Sequence, residues 1–282
     1  MTRLSLLLLI GLLAAPPAHA AELKVATWNL NWLTSRGGDL PDDVHVRQPE
    51  DFDRLRAYAL RLNADLIALQ EVDNAPTARR VFPAETWSIH MTRDHVRQRV
   101  GFAIRRGLDY DINADVTDIA LDPAEHLRSG ADITLHLLTG RLRVLAVHLK
   151  TGCWYASLTR APRPVCQILM AQFDAVDRWI AARRDEGGPF LVLGDFNRDM
   201  DKRDRMAAQI QVIAPMTRAT EGLSSPCWGH AAFIDHILIG GAARAWIEPN
   251  SLRVLTYEET SMDWKERLSD HCPVSIKLMV PD

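Results

Sequence analysis

The segment FLVLGDFN at residues 190–197 carries the clearest information about the fold of this 282-residue chain. Its first four residues are apolar at consecutive positions, so neither face of the strand is left for water. Strands of this kind lie in sheets that are covered on both faces. The strand then ends in polar residues. Asp195 and Asn197 are two positions apart and therefore share one side of an extended backbone.

Short strands and amphipathic helices alternate on both sides of this segment. Pro49 begins a helix, and Gly187 ends another that has apolar residues at helical spacing. Several strands are close neighbours along the chain, as in hairpins, which favours antiparallel pairing. We therefore expect one α/β domain with a two-sheet core rather than a single doubly wound sheet. The predicted strands cover residues 23–32, 65–72, 99–105, 133–138, 141–149, 190–196, 233–239 and 274–279.

Composition and charge exclude several classes of protein. Hydrophobic residues make up 47% and charged residues 24% of the chain, which excludes a disordered protein, a collagen and a disulfide-dense miniprotein. The net charge is −3, from 33 basic and 36 acidic side chains. That balance argues against a basic protein that coats nucleic acid. It leaves room for an enzyme that contacts a few phosphates.

Residues 1–20 have the pattern of a signal peptide. Arg3 precedes an apolar run over residues 4–15, and Ala18-His19-Ala20 resembles a cleavage site. The run is shorter than the roughly 20 residues that a membrane-spanning helix needs. We therefore expect an exported protein, periplasmic or secreted, with residues 21–282 as a single catalytic domain. We expect it to be monomeric and without stable membrane insertion.

Four cysteines follow the signal segment, and none forms a C-x-x-C pair that would indicate structural zinc. An even number in an exported chain favours disulfides over free thiols. Four cysteines allow three pairings, which the sequence alone does not separate. We prefer Cys153 with Cys166, since this bond would close one loop, and then Cys227 with Cys272.

Polar residues interrupt the predicted strands at six places. Buried carboxylates need cations or hydrogen-bond donors, so such conflicts with the apolar pattern are expected at functional sites. Each motif alone is weak evidence, because each also fits a turn, a helix cap or a solvated strand end. The motifs are TWN at 27–29, QE at 70–71, His148, GDFN at 194–197, IDH at 234–236 and SDH at 269–271.

This set of motifs, in this order, resembles the endonuclease/exonuclease/phosphatase family. That family includes deoxyribonuclease I, abasic-site endonucleases, neutral sphingomyelinases and inositol-polyphosphate 5-phosphatases. The resemblance extends over about residues 24–279. It implies a four-layer α/β sandwich of the deoxyribonuclease I type, with two packed mixed β-sheets flanked by helices. It also implies hydrolysis of a phosphoester with a divalent cation at one edge of the sheets.

The resemblance implies that Glu71 is the main metal ligand. Asn29 would help to fix the metal shell and the phosphate, and Asp270 would be a further metal carboxylate. Asn31 is a weaker candidate for the role of Asn29, because Asn29 follows the tryptophan as in the family. Carboxylate and amide ligands without cysteine suit Mg²⁺, with Mn²⁺ or Ca²⁺ as alternatives. Convergence of several ionised carboxylates also calls for a cation.

The remaining roles follow from the same resemblance. Asp195 would orient or deprotonate the attacking water, and Asn197 would donate to the phosphoryl oxygens. His271 would contact the scissile phosphate, and Asp235 would orient His271. His148 matches a second histidine beside the leaving group. In deoxyribonuclease-like members that histidine is paired with an acid, which the matching segment 97–102 lacks. This departure favours phosphate binding by His148 over general-acid catalysis.

Basic segments near the site bear on the substrate. Lys150, Arg160 and Arg163 lie in a segment without acids, and further arginines lie in residues 93–106 and 198–205. Trp154 and Tyr155 offer a surface on which bases can stack. Solvated surface charge and loop packing explain the same residues about equally well.

The leading hypothesis is an exported metal-dependent nuclease acting on DNA or RNA. A second is a phosphoesterase of the same fold acting on phospholipid headgroups or on sugar or inositol phosphates. A sphingomyelinase-like role would call for an exposed apolar hairpin, and the Trp154-Tyr155-Ala156 stretch is short for one. A third, of another class, is a non-catalytic binding or toxin-type module. It predicts the loss of a metal carboxylate, and none is lost.

Overall fold

The computed structural model describes residues 21–38, 40–42, 44–121, 126–138, 140–158, 163–201, 203–229 and 231–281. The segment expected to be a signal peptide lies outside these residues. The helices are α1 (Pro49–Leu62), α2 (Ala75–Val81), α3 (Pro164–Glu186), α4 (Arg205–Ile213) and α5 (Met262–Arg267). The strands are β1 (Ala21–Leu33), β2 (Leu66–Val72), β3 (Trp87–Met91), β4 (Arg99–Arg105), β5 (Asp109–Ile112), β6 (Ala131–Leu137), β7 (Gly140–His148), β8 (Phe190–Asp195), β9 (Met216–Arg218), β10 (Ser224–Ser225), β11 (Ala231–Ala232), β12 (Asp235–Gly240), β13 (Arg253–Val254) and β14 (Val274–Val280).

Two six-stranded mixed sheets form the centre of the molecule. The first has the order β13-β14-β1-β2-β4-β3, and the second has the order β5-β6-β7-β8-β12-β9. Each contains one parallel pair, β1 with β2 and β7 with β8, and the other pairs are antiparallel. The predicted two-sheet core is therefore confirmed.

Three apolar clusters hold the layers together. The first lies between the sheets and includes Val25, Phe102 and Leu193. The second packs α3 and α4 on the second sheet, and the third packs α1 and α2 on the first. Strand β8 is buried along its whole length because both of its faces are covered, as its apolar run predicts. The order helix, sheet, sheet, helix confirms the expected four-layer sandwich.

Local signals placed the long helices well. Helix α1 begins at Pro49, where the side chain of Asp51 accepts from the backbone N–H of Gln48 at 2.8 Å, and its buried side chains include Phe52 and Leu55. Helix α3 ends at Gly187, whose φ of +73° suits a glycine. No helix in the described part of the chain is both long and apolar enough to cross a membrane.

Both disulfides have the preferred pairing. Cys153 is bonded to Cys166, which closes the loop between β7 and α3, and the Cα atoms are 5.2 Å apart. Cys227 is bonded to Cys272, with Cα atoms 5.7 Å apart. Cys272 directly follows His271, so the second bond fixes the chain beside a predicted site residue.

Candidate active site

The carboxyl ends of the two parallel pairs meet at one edge of the sandwich. In the first sheet, the β1–β2 register shifts between Asn29 and Leu33, and Glu71 falls outside the paired positions. Asn31, Trp32 and Glu71 have φ angles of +43°, +54° and +60°. Non-glycine residues in this region are strained, and such strain concentrates at functional sites. The bulge directs Glu71 towards the second sheet.

The second sheet reaches this edge with an unbroken ladder. The β7–β8 register runs from Arg143 opposite Phe190 to His148 opposite Asp195. A side chain at Gly194 would place its Cβ 2.0 Å from the carbonyl oxygen of Val147. Glycine in the GDFN motif therefore permits the close approach of the two strands that brings Asp195 beside His148.

Asn29 connects the two sheets through its side-chain amide. Its Nδ2 donates to Glu71 Oε1 at 3.1 Å and to Asp195 Oδ2 at 3.0 Å. Its Oδ1 accepts from the backbone N–H of Asn31 at 2.9 Å. In this geometry the side chain of Asn29 holds two carboxylates in place.

Asp195 is buried and receives several donors. Oδ1 accepts from the Asn197 backbone N–H at 2.8 Å, and Oδ2 accepts from Asn197 Nδ2 at 3.1 Å. Burial, opposed by the charge of His271 and aided by that of Asp235, raises the pKa of Asp195 to about 7. The carboxyl group can thus take up and release a proton near neutral pH. Both Nδ2 hydrogens of Asn197 are engaged, by Asp195 and by the Leu149 carbonyl at 3.0 Å, so Asn197 holds Asp195 in this arrangement.

His271 forms a close pair with Asp235. Its Nδ1 donates to Asp235 Oδ2 at 2.7 Å, and its Nε2 lies 3.8 Å from Asp195 Oδ2. Burial lowers the pKa of His271, but the carboxylates of Asp235 and Asp195 outweigh it and hold that pKa well above its usual range. Ser269 fixes this loop by donating to the carbonyl of Asn29 at 2.7 Å. The site therefore places an imidazolium cation beside Asp195.

Arg128 is a further buried residue of the site, and the sequence did not predict it. Its Nη2 lies 3.0 Å from His148 Nε2, which must accept because a guanidinium only donates. Burial, followed by the charge of Arg128, lowers the pKa of His148 well below its usual range. No described residue forms a hydrogen bond with His148 Nδ1. No sequence pattern separates Arg128 from the other arginines; its burial among carboxylates identifies it.

A family model agrees with this geometry. The model for the Endonuclease/Exonuclease/phosphatase family matches residues 26–271, which include each motif quoted above. The chain belongs to this family. It is accordingly a hydrolase of phosphoester bonds. No curated protein matches the chain by sequence.

Solved structures of the family share the fold at low sequence identity. A truncated TDP2 from Caenorhabditis elegans has a TM-score of 0.65 and 14% identity, over 92% of this chain and 98% of that one. The 3'-5' exonuclease NExo from Neisseria meningitidis has a TM-score of 0.62 and 18% identity, over 91% and 99%. D. rerio TDP2, complexed with single-strand DNA product, has a TM-score of 0.60 and 14% identity, over 91% and 98%.

The motif residues at this edge of the sheets line a cavity of about 540 Å³. Glu71, Arg128, Lys150, Trp154 and Asp270 are among the residues that line it, together with His148, Asp195, Asn197 and His271. The structure thus brings Lys150 to the site.

Two other predicted substrate contacts are not placed there. Arg163 is not among the lining residues, and its guanidinium donates to the Gly152 carbonyl. Arg160 lies outside the described residues. Arg198, in one of the basic segments, is buried and bonded to Asp204 and to the Cys153 carbonyl, so it does not face the substrate.

Members of the family depend on a divalent metal, and the donors at this site suit one. One potential ligand atom each from Asp195, Asp235 and His271 lies within 4.8 Å of the others. The imidazole of His271 already offsets these carboxylates, by a hydrogen bond to Asp235 and by its charge near Asp195. Glu71 and Asp270 line the cavity, and carboxylate oxygens are the ligands that hard divalent cations prefer. The donor chemistry of the cavity therefore fits a divalent cation, for which Glu71 and Asp270 are the candidate carboxylate ligands, and Asn29 donates to Glu71.

Proposed function

We propose that the protein is an exported, divalent-metal-dependent nuclease that hydrolyses phosphodiester bonds of DNA or RNA. One observation carries the proposal: a single cavity combines hydrolytic side chains with donors for a phosphate and an aromatic surface. Asp195 and His271 belong to the first group, Arg128 and Lys150 to the second, and Trp154 to the third. A nucleic acid offers the anion and the flat base that this combination would bind.

The side chains can divide the work of hydrolysis. Water attacks phosphorus, the ester P–O bond breaks, and the proton of the water passes to Asp195 as general base. His271, held as a cation by Asp235, would donate a hydrogen bond to a phosphoryl oxygen, and Arg128 would offset charge from the other side. A divalent cation held by Glu71 and Asp270 supplies further stabilisation of the phosphate charge when it is bound.

The assignment of His148 changes with the structure. Its Nε2 accepts from Arg128, and its Nδ1 has no carboxylate partner among the described residues. A histidine that burial keeps neutral is a poor proton donor to a leaving group. We propose that His148 positions Arg128, which then contacts the phosphate. Proton donation to the leaving oxygen is left to His271 or to solvent.

The surface beside the cavity supports nucleic acid over other phosphoesters. Trp154 and Tyr155 are adjacent and exposed, at 42% and 81%. Aromatic faces of this kind bind successive bases by stacking. The D. rerio structure that shares this fold was solved with a single-strand DNA product, which is in keeping with a nucleic-acid substrate.

A substrate panel tests this proposal. Purified protein is incubated with plasmid DNA, RNA, bis-p-nitrophenyl phosphate, sphingomyelin vesicles and inositol phosphates, with Mg²⁺, Mn²⁺, Ca²⁺ or EDTA. We expect cleavage of nucleic acid and of the model diester that EDTA abolishes. Turnover of lipid or inositol phosphate alone would favour the second phosphoesterase hypothesis. An absence of all turnover would favour the non-catalytic module.

Export is supported by the two disulfides, which persist in oxidising compartments. We propose cleavage after Ala20. Amino-terminal sequencing of protein secreted by the native cell, or recovered from its periplasm, should begin at Ala21. Recovery of protein that begins at Met1 in the reducing cytoplasm would contradict export.

A further inference from the structure

Trp154 donates a hydrogen bond to the side chain of Asn197, a residue of the GDFN motif. Its indole Nε1 lies 3.1 Å from Asn197 Oδ1. Because an indole N–H only donates, the atom that faces it must be the amide oxygen and not the nitrogen. This contact therefore fixes which way the Asn197 amide points.

The opposite end of the amide faces the catalytic carboxyl group. Asn197 Nδ2 donates to Asp195 Oδ2 at 3.1 Å and to the carbonyl of Leu149 at 3.0 Å. Trp154 is the donor that satisfies Oδ1, and both Trp154 and Asn197 line the cavity. Without the indole N–H, cavity water would compete for Oδ1 and the amide would be held less firmly.

We propose that Trp154 is a positioning residue, which orients the amide of Asn197 and through it the carboxyl group of Asp195. The proposal rests on the proposed hydrolytic function of the site. It assigns to the loop after β7 a part in the geometry of the reaction, in addition to any stacking of its aromatic faces on substrate.

The loop is built to hold Trp154 in place. Arg198 Nη1 donates to the carbonyls of Cys153 at 2.7 Å and Ala156 at 2.9 Å, on either side of the tryptophan. The backbone N–H of Asp199 donates to the carbonyl of Trp154 at 2.7 Å. Arg198 is itself fixed by a buried ion pair of 2.6 Å with Asp204. These anchors lie directly after the GDFN motif.

The Cys153–Cys166 disulfide adds a covalent anchor. Cys166 lies in the first turns of α3, a helix packed on the second sheet, and Cys153 directly precedes Trp154. The tryptophan is thus tied to a helix by the disulfide and to the GDFN segment by hydrogen bonds. A loop that served only to cover the site would not need an indole N–H aimed at one amide oxygen.

Steady-state kinetics on bis-p-nitrophenyl phosphate with saturating Mg²⁺ test the proposal. Trp154→Phe keeps an aromatic ring but removes the N–H. We expect kcat to fall roughly 10-fold, the size of effect that loss of one hydrogen bond produces, with KM changed less than about 2-fold. The matched control, Trp246→Phe, makes the same exchange away from the cavity and should leave both constants unchanged. Circular dichroism melting confirms that both variants fold.

A double-mutant cycle shows whether Trp154 acts through Asn197. If it does, Trp154→Phe adds no further loss of kcat in the Asn197→Ala background. Losses that multiply would overturn the proposal. So would a rise in KM at constant kcat, which would assign Trp154 to substrate stacking alone.

A spectroscopic measurement stays informative if the proposed activity fails. In ¹⁵N-labelled wild-type protein, the Asn197 side-chain amide, identified by its loss in Asn197→Ala, should exchange slowly with water. Faster exchange in Trp154→Phe supports positioning, and equal exchange overturns it. Absence of phosphodiester cleavage by the wild type would instead refute the proposed function.

Discussion

The two parallel strand pairs bring carboxylates to the same edge by different means. The β1–β2 ladder is broken, and Glu71 leaves it with a φ of +60° and a side chain that is 13% exposed. The β7–β8 ladder is unbroken, and the side chains of its last pair, His148 and Asp195, are each 2% exposed. One half of the site is distorted and open, and the other is regular and closed.

The difference matches what the two carboxylates are proposed to do. A ligand for a cation must face the cavity, and a strained backbone that costs about 1–3 kcal/mol per residue turns Glu71 towards it. A proton acceptor for neutral pH needs a raised pKa, and burial in a regular ladder raises that of Asp195 to about 7. Strain therefore serves ligand geometry in one half, and burial serves proton transfer in the other.

The largest effect should come from the open half. Glu71→Ala removes the main proposed cation ligand, so we expect kcat on bis-p-nitrophenyl phosphate to fall by about 10³-fold or more. The melting temperature should stay close to that of the wild type. Glu85→Ala, an exposed glutamate elsewhere, serves as control. Near-normal turnover by Glu71→Ala would refute the assigned role.

In the closed half, the largest loss of stability should come from a substitution at Gly194. A new Cβ would lie 2.0 Å from the Val147 carbonyl, and φ there is +151°. We expect Gly194→Ala to lower the free energy of unfolding by about 3 kcal/mol, measured by urea denaturation. At Gly188 a Cβ would meet nothing within 4 Å, and Gly188→Ala should change stability by less than about 0.5 kcal/mol. Equal stabilities would show that the two strands can separate without cost.

A smaller effect distinguishes Arg128 from His148, which are both buried beside Asp195. Arg128→Ala should lower kcat/KM by about 10²-fold, since a phosphate donor is lost. His148→Gln should cost about 10-fold at most, because a glutamine oxygen can still accept from Arg128. A loss for His148→Gln that exceeds the loss for Arg128→Ala would restore His148 as general acid.

The last effect concerns stability against pH and not turnover. Burial lowers the pKa of His236 from 6.5 to about 3, so the unfolded chain takes up this proton first as pH falls. Stability should drop between pH 6.5 and 3, by up to about 1.4 kcal/mol per pH unit from this group, and should be unaffected above pH 6.5. His236→Gln should flatten this slope in denaturation at several pH values, and the exposed His95→Gln should not. An unchanged slope in His236→Gln would contradict the assignment.

The central strands are covered on both faces, so their side chains are apolar at consecutive positions. This pattern allowed the sequence to predict them well. The 99–105 strand was placed without error, and the others were placed to within about two residues. Six strands of the described part of the chain were not predicted, namely β3, β5, β9, β13 and the two strands of the small β10–β11 sheet. They lie at or next to sheet edges, are short, and are at most partly buried, so no strong hydrophobic pattern marks them.

The motif residues also came together as the family resemblance implied, since strand ends are fixed by the strands. The directions of side chains in the loops were harder to predict than the positions of the strand ends. The basic segment after β7 supplied Lys150 to the cavity but turned Arg163 to a backbone carbonyl. Arg128 and the Trp154–Asn197 contact come from loops whose placement depends on tertiary packing and disulfides. Single polar residues in such loops carry no periodic signal.

The hydrogen bond from Ser269 to the carbonyl of Asn29 joins residues 240 positions apart. In the same region, β1 pairs with β14 along seven residue pairs, from Ala21 with Val280 to Thr27 with Val274. Contacts so distant in sequence close large loops, which costs chain entropy and slows folding. A growing chain would carry Glu71 and Asp195 long before the segment with His271 is synthesised. Competence for hydrolysis should thus arise only when the two ends of the folded core have met, and a chain shortened before β14 should be inert.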